Sequence, residues 1–177
     1  MKYSRKDARN VLIILASSVT VVFIALTTGI RINLTDSHVP VGLWRTVHHT
    51  PDSLQVGDIV TFDIYKHYLS QLKVYDEKLS FVVTVTPIMM KRIAALPGSL
   101  IERSEDHLLI DGVMYENAPI RPPYFDKSDP CKVEYPVIVP PLCVWIMADT
   151  FSAYDSRYYG VVSMDIIEAK VKKVLVW

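Results

Sequence analysis

The segment Ile88-Met89-Met90-Lys91-Arg92-Ile93-Ala94-Ala95-Leu96-Pro97-Gly98 decides how the rest of the chain is read. It is apolar apart from two adjacent cations, and it stops at Pro-Gly, a pair that favours a turn. An apolar run of this length, bounded by turn residues, reads as a strand, and neighbours on a strand point to opposite faces. One of the two cations can then be solvated while the other enters the interior. A buried ammonium is costly and responds by losing its proton. Periodicity alone leaves two readings of Lys91 and favours the first: a snorkelling surface lysine, or an interior amine able to serve as a base.

The neighbouring segments are mostly strands. Ser80 to Thr86, SFVVTVT, is rich in β-branched residues, and Gly57-Asp58 turns into a short strand over Ile59–Ile64. Between them Tyr65, Tyr68, Leu69, Leu72 and Leu79 recur at helical intervals among Lys66, Lys73, Asp76, Glu77 and Lys78, which predicts one amphipathic helix inserted over Tyr65–Leu79. Further on, Leu108–Ile110, Asp111-Gly112 and Val113–Tyr115 form a hairpin signal, because a type I′ turn favours Asp-Gly. Residues 117–141 are broken by seven prolines yet keep apolar residues, which predicts an extended, tied-down loop. Leu142–Ala148 and Ala169–Trp177 read as strands, with a polar and aromatic loop over Asp149–Gly160. The predicted class is mainly β with one helical insertion.

Ahead of this domain, residues 2–9 carry four positive charges and one negative, and Val11–Ile30 gives twenty residues without a charge. A helix of that length spans ~30 Å, the thickness of a hydrocarbon core. The run exceeds the apolar region of a cleaved signal peptide and no A-x-A-like site follows it. The expectation is a basic cytoplasmic segment 1–10, a single transmembrane helix 11–30, and an exported domain 31–177 oriented by the positive-inside tendency. In a bacterium this places a single-pass protein in the inner membrane with its domain on the periplasmic face. There a Cys131–Cys143 disulfide could persist and contribute ~3 kcal/mol on a chain-entropy estimate; two free buried thiols are the alternative. The chain has 177 residues with 19 basic and 19 acidic side chains, so it lacks the basic footprint of a nucleic-acid binder. His48-His49 has no HExxH or carboxylate partner at ligand spacing and reads as exposed loop. No metal and no cofactor is expected.

Just past the apolar run lies Asn33–Arg45, NLTDSHVPVGLWR. Pro40 and Gly42 favour a turn here, and Ser37 sits in its polar part. A serine hydroxyl is a weak nucleophile until a base takes its proton. Lys91 can be that base only if burial lowers its pKa from ~10.4.

Four segments together resemble the type I signal peptidase family, and more closely its conjugative-transfer branch of TraF-like peptidases. Ser37-His38-Val39-Pro40-Val41-Gly42-Leu43-Trp44 is similar to the nucleophile box and Gly57-Asp58-Ile59-Val60 to the Gly-Asp strand box. Lys91–Gly98 is similar to the general-base box and Asp155-Ser156-Arg157-Tyr158-Tyr159-Gly160 to the closing box, all in family order. The resemblance implies a fold of curved antiparallel sheets. It implies Ser37 as nucleophile and Lys91 as general base, reversing the reading from periodicity. It also implies Thr35 as an oxyanion-hole hydroxyl, Ser152 as the serine that orients the lysine, and Asp155 and Arg157 as residues holding the closing loop against the catalytic strand. The sequence departs from the family at Ala148-Asp149-Thr150, where Gly-Asp-Asn or Ser-Asp-Asn is usual, and at Ser99 after Pro-Gly.

The expected function is a membrane-anchored serine endopeptidase acting on membrane-inserted precursor proteins, in this branch a pilin precursor for conjugative transfer. Hydrolysis and head-to-tail cyclisation share one acyl-enzyme and stay open. A general leader peptidase is the alternative within the class. A non-catalytic anchored scaffold of a pilus or secretion apparatus is the alternative outside it. A β-lactam-targeted Ser/Lys enzyme is disfavoured, because Pro40 stands where S-x-x-K requires lysine. Oligomeric state is not encoded in any feature of the sequence.

Overall fold

The computed structural model describes residues 5–33, 39–66, 88–105, 107–119, 133–150 and 153–176. The first element is helix α1, Arg5–Thr28. Among the described residues eleven strands follow: β1 (Ile30–Asn33), β2 (Gly42–Val47), β3 (Ile59–Asp63), β4 (Ile88–Ala95), β5 (Leu100–Ser104), β6 (His107–Ile110), β7 (Val113–Pro119), β8 (Val137–Ile138), β9 (Cys143–Met147), β10 (Val162–Ser163) and β11 (Ile167–Val176). They form a seven-stranded sheet in the order β1-β2-β11-β3-β4-β9-β10 and a four-stranded sheet in the order β7-β6-β5-β8. Every pairing is antiparallel. The mainly β class expected from the strand pattern is therefore what the chain adopts.

Position β4 is the pivot. It lies between β3 and β9, with Val60 opposite Lys91 and Phe62 opposite Met89. Directly opposed residues share a face, so Met89, Lys91 and Ile93 look into the cluster of Val60, Phe62, Ile146 and Tyr159. Between Ile93 and Ala95 the register with β9 shifts. A bulge of this kind bends the strand, and here it carries β4 into a second core, where Ala94 and Ala95 pack with Ile101, Leu108, Trp145 and Met147 under the small sheet. A third cluster, Val39, Trp44, Ile59 and Val171 with Met90 against it, covers the opposite face of the large sheet.

The hairpin read from Asp111-Gly112 joins β6 to β7, with φ of 53° and 77° at those residues. Both values lie in the left-handed region that a type I′ turn requires. Asp111 adds a second function: its Oδ1 accepts from the Leu100 amide at 2.7 Å, tying the turn to β5. The inserted helix begins as expected, with helical backbone at Ile64–Lys66 and Asp63 Oδ1 accepting from the amides of Tyr65 (2.9 Å) and Lys66 (3.4 Å), the geometry of an N-cap. The rest of that helix, and the strand expected over Ser80–Thr86, lie outside the described residues. The loop expected over Asp149–Gly160 contains one helical turn, Ser156–Tyr159, capped by Asp155.

Helix α1 passes into β1 through Gly29 alone, at φ +68°. The Thr46 amide and hydroxyl both donate to the Gly29 carbonyl, at 2.9 and 3.0 Å, and a Cβ at position 29 would collide with that hydroxyl. Residues 11–20 of α1 are exposed on every side of the helix. Among the described residues no helix is long and apolar enough to cross a membrane. Cys143 is a free, half-buried thiol rather than half of a bridge, and Cys131 lies outside the described residues.

Candidate active site

Lys91 is fully buried. The reading of it as a snorkelling surface lysine is thus corrected: the covered face of β4 is the odd-numbered one, and Lys91 falls on it between Met89 and Ile93. Burial pulls its pKa down from 10.5 to about 8; Asp155 opposes the shift, Arg157 adds to it, and Asp149 opposes it more weakly. The interior thus leaves an appreciable share of the amine neutral near pH 8, which a solvated lysine does not.

Arg92 points the other way, as strand alternation demands. Its Nε donates to Asp149 Oδ1 at 2.8 Å, its Nη2 to Oδ2 at 2.6 Å, and its Nη1 to the Gly57 carbonyl at 3.0 Å. This fork draws the Gly57-Asp58 segment onto β4, where Gly57 N donates to Ile93 O and Ile93 N donates to Asp58 O, both at 2.8 Å. Asp58 is in turn held by the Gln55 amide at 2.9 Å and by Lys170 Nζ at 2.5 Å.

Asp155 and Arg157 form a fully buried pair, with Arg157 Nε donating to Oδ1 at 2.8 Å and Nη2 to Oδ2 at 2.7 Å. Their anchoring runs through backbone amides. Asp155 Oδ2 accepts from the Ala148 amide and Ser156 Oγ from the Ile146 amide, each at 3.0 Å. These bonds sew the closing segment to β9, the neighbour of the strand that carries Lys91. Arg157 Nη2 also donates to the carbonyls of Thr150 and Ala153, each at 3.2 Å, holding the chain at both of these positions.

Of the residues expected at the site, the structure brings Lys91, Asp155 and Arg157 into one region. Ser37, Thr35 and Ser152 lie outside the described residues. The chain next to the serine segment is placed: Val39 is buried against Trp44 and Ile59, in the cluster that also takes Met90, the residue preceding Lys91. Met90 and Lys91 face opposite sides of β4, so this cluster and the lysine share a strand. An open groove of about 560 Å³ is lined by Pro40, Trp44, Ile59, Arg92, Lys170 and Val176, among others. Among the described residues no cluster of His, Cys, Asp and Glu could hold a metal ion. His48 and His49 are loop residues with ring centroids 6.5 Å apart.

Asp149 and Ser156 escaped the reading of the sequence as site residues. Ser156 stood inside a quoted motif with no role. Asp149 stood in a segment noted only for its departure from the family. Asp149 lies two residues beyond Met147, the register partner of Arg92, and only that register shows that the two share a face.

The family model described as signal peptidase, peptidase S26, matches residues 6–177. Over 144 residues the chain is 32% identical to a conjugal transfer protein TraF of Agrobacterium tumefaciens (strain 15955), covering 77% of this chain and 76% of that one. A crystal structure of a signal peptidase I from Enterococcus faecalis V583 aligns with a TM-score of 0.38 and 20% identity over 66% of this chain and 95% of that one, a likeness too loose to argue from. On the extent of the family match and the identity to the conjugal transfer protein, the chain belongs to the signal peptidase family, peptidase S26.

Proposed function

We propose that the chain is a serine endopeptidase in which Ser37 attacks a peptide carbonyl and Lys91 takes and returns the proton. The observation that carries this reading is Lys91 itself, wholly buried on the central strand with its pKa drawn down to about 8. A general base must be partly neutral at working pH, and this placement makes the amine so. Ser37 enters by its position in the nucleophile box, with Thr35 as oxyanion donor and Ser152 as the lysine's orienting partner. The serine attacks, the acyl-enzyme forms as the leaving amine takes the proton from Lys91, and a second nucleophile releases the acyl group with Lys91 again as base.

The substrate is a membrane-inserted precursor, and the similarity to a conjugal transfer protein favours a pilin precursor over a general set of leader-bearing proteins. The protein is held in the bacterial inner membrane by α1, with residues 31–177 on the periplasmic face. Support comes from the twenty uncharged residues Val11–Ile30 and from the exposure of apolar side chains around the helix, among them Leu12, Ile14, Val19 and Phe23. A helix apolar on all sides belongs in a protein interior or a bilayer, and among the described residues none covers positions 11–20 of α1, which are all exposed. Membership of a peptidase family favours this reading over a non-catalytic scaffold.

Incubating the detergent-solubilised protein with a pilin precursor and weighing the product intact tests the proposal, beside Ser37→Ala and Lys91→Ala. A processed product lost in both variants supports the dyad, and a product one water lighter than the linear mature chain identifies cyclisation. Processing that survives Ser37→Ala overturns it.

A further inference from the structure

We infer that Asn33 is a positioning residue for the nucleophile segment. This rests on the reading of Ser37 given above, and the argument needs only the residues on either side of positions 34–38. Asn33 ends β1 opposite Gly42, which begins β2. Eight residues therefore connect two paired strand ends, a span that leaves a loop free to choose among many paths. Here its neck is closed by a side chain. Asn33 Nδ2 donates to the Val39 carbonyl at 2.7 Å and to the Pro40 carbonyl at 3.2 Å. An amide nitrogen carries two hydrogens, so both are spent on consecutive carbonyls of the chain leaving the segment.

Two further features make this neck stiff. Trp44 Nε1 donates to the same Pro40 carbonyl at 3.2 Å, and the side chains of Val39 and Trp44 are buried together. Gly42 lies so close to β11 that a Cβ would collide with the Leu175 carbonyl oxygen. The exit of the segment is thus fixed by one amide, one indole and one glycine against the C-terminal strand. Ser37 lies two residues before Val39. A chain of two residues reaches at most ~7 Å, so fixing the Val39 carbonyl bounds where Ser37 can be. Proton transfer between serine and lysine tolerates little displacement, and a misplacement of about 1 Å can cost about 100-fold in rate.

The test compares wild type with Asn33→Asp, Asn33→Gln, Trp44→Phe and Ser37→Ala on a synthetic peptide with Ala-x-Ala before the scissile bond, measured by kcat, KM and thermal melting in the same detergent. Asn33→Asp keeps the size of the side chain and loses both donors. It is expected to lower kcat about 30- to 100-fold with KM within about twofold, in protein that is still fully folded at the assay temperature by its melting curve. Asn33→Gln retains the donors on a longer stem and is expected to recover part of the loss, a rescue that a purely structural side chain would not give. Trp44→Phe combined with Asn33→Asp is expected to lose less than the product of the single losses, since both donors act on one carbonyl. Activity of Asn33→Asp within threefold of wild type while Ser37→Ala is dead overturns the inference and leaves the dyad standing. Loss that appears only as a lower melting temperature, shared by Asn33→Asp and Asn33→Gln, overturns it as well. Full activity in Ser37→Ala overturns the dyad, and this inference with it.

Discussion

Lys91 shows how a single residue can hold two opposed energies. Burial disfavours its charged form, so the folded protein binds that proton less tightly than the unfolded chain, at a pKa of about 8 against 10.5. Below pH 8 the native state carries the full cost; between about 8 and 10.5 the unfolded chain still binds the proton and the cost fades as pH rises. The gap corresponds to about 3 kcal/mol. Lys91→Met, close in volume and uncharged, is therefore expected to be more stable than wild type at pH 7 by up to about 3 kcal/mol, with the difference shrinking toward pH 10. Urea unfolding at the two pH values checks this, and a less stable variant at pH 7 would refute it. The same displacement predicts that kcat/KM rises with pH through an apparent pKa near 8 in the wild type. A profile flat between pH 6 and 9 would mean that a different group sets the rate.

Strand β9 and the segment after it depend on a buried charge pair. Asp155 and Arg157 are wholly enclosed, and their hydrogen bonds close the edge of β9 where β10 no longer pairs with it. Removing one partner leaves the other charge buried and unmatched, which costs about 3–5 kcal/mol. Asp155→Asn is expected to lose that much in denaturant unfolding, and a loss below 1 kcal/mol would mean that solvent reaches the site. Such elements were unequally legible beforehand. The β6–β7 hairpin follows from Asp111-Gly112, because the information is local: two residues that tolerate positive φ, flanked by apolar runs. Alternation likewise puts Lys91 and Arg92 on opposite faces. It does not say which face is covered, because that depends on the layers packed against β4 from distant parts of the chain. The pairing of Arg92 with Asp149 was illegible for a related reason, since it depends on a β4–β9 register interrupted by a bulge at Ala94. Asn33 was read only as the start of a motif, because its bonds go to backbone carbonyls, which have no sequence identity.

Across the whole molecule, the recognisable boxes are far apart in the chain yet meet on three neighbouring strands: Gly57-Asp58 leads into β3, Lys91 lies on β4, and Asp155-Ser156-Arg157 is bound to β9. The sheet order thus gathers short segments that the sequence separates by tens of residues. The junction between α1 and β1 adds a constraint of another kind. A single glycine separates them, and Thr46 grips its carbonyl twice. If α1 is the membrane anchor, the sheet has no tether to drift on. Its height above the lipid is set by the covalent chain, and the enzyme becomes a depth gauge, accepting a scissile bond presented at one distance from the bilayer and passing over an identical sequence held farther away.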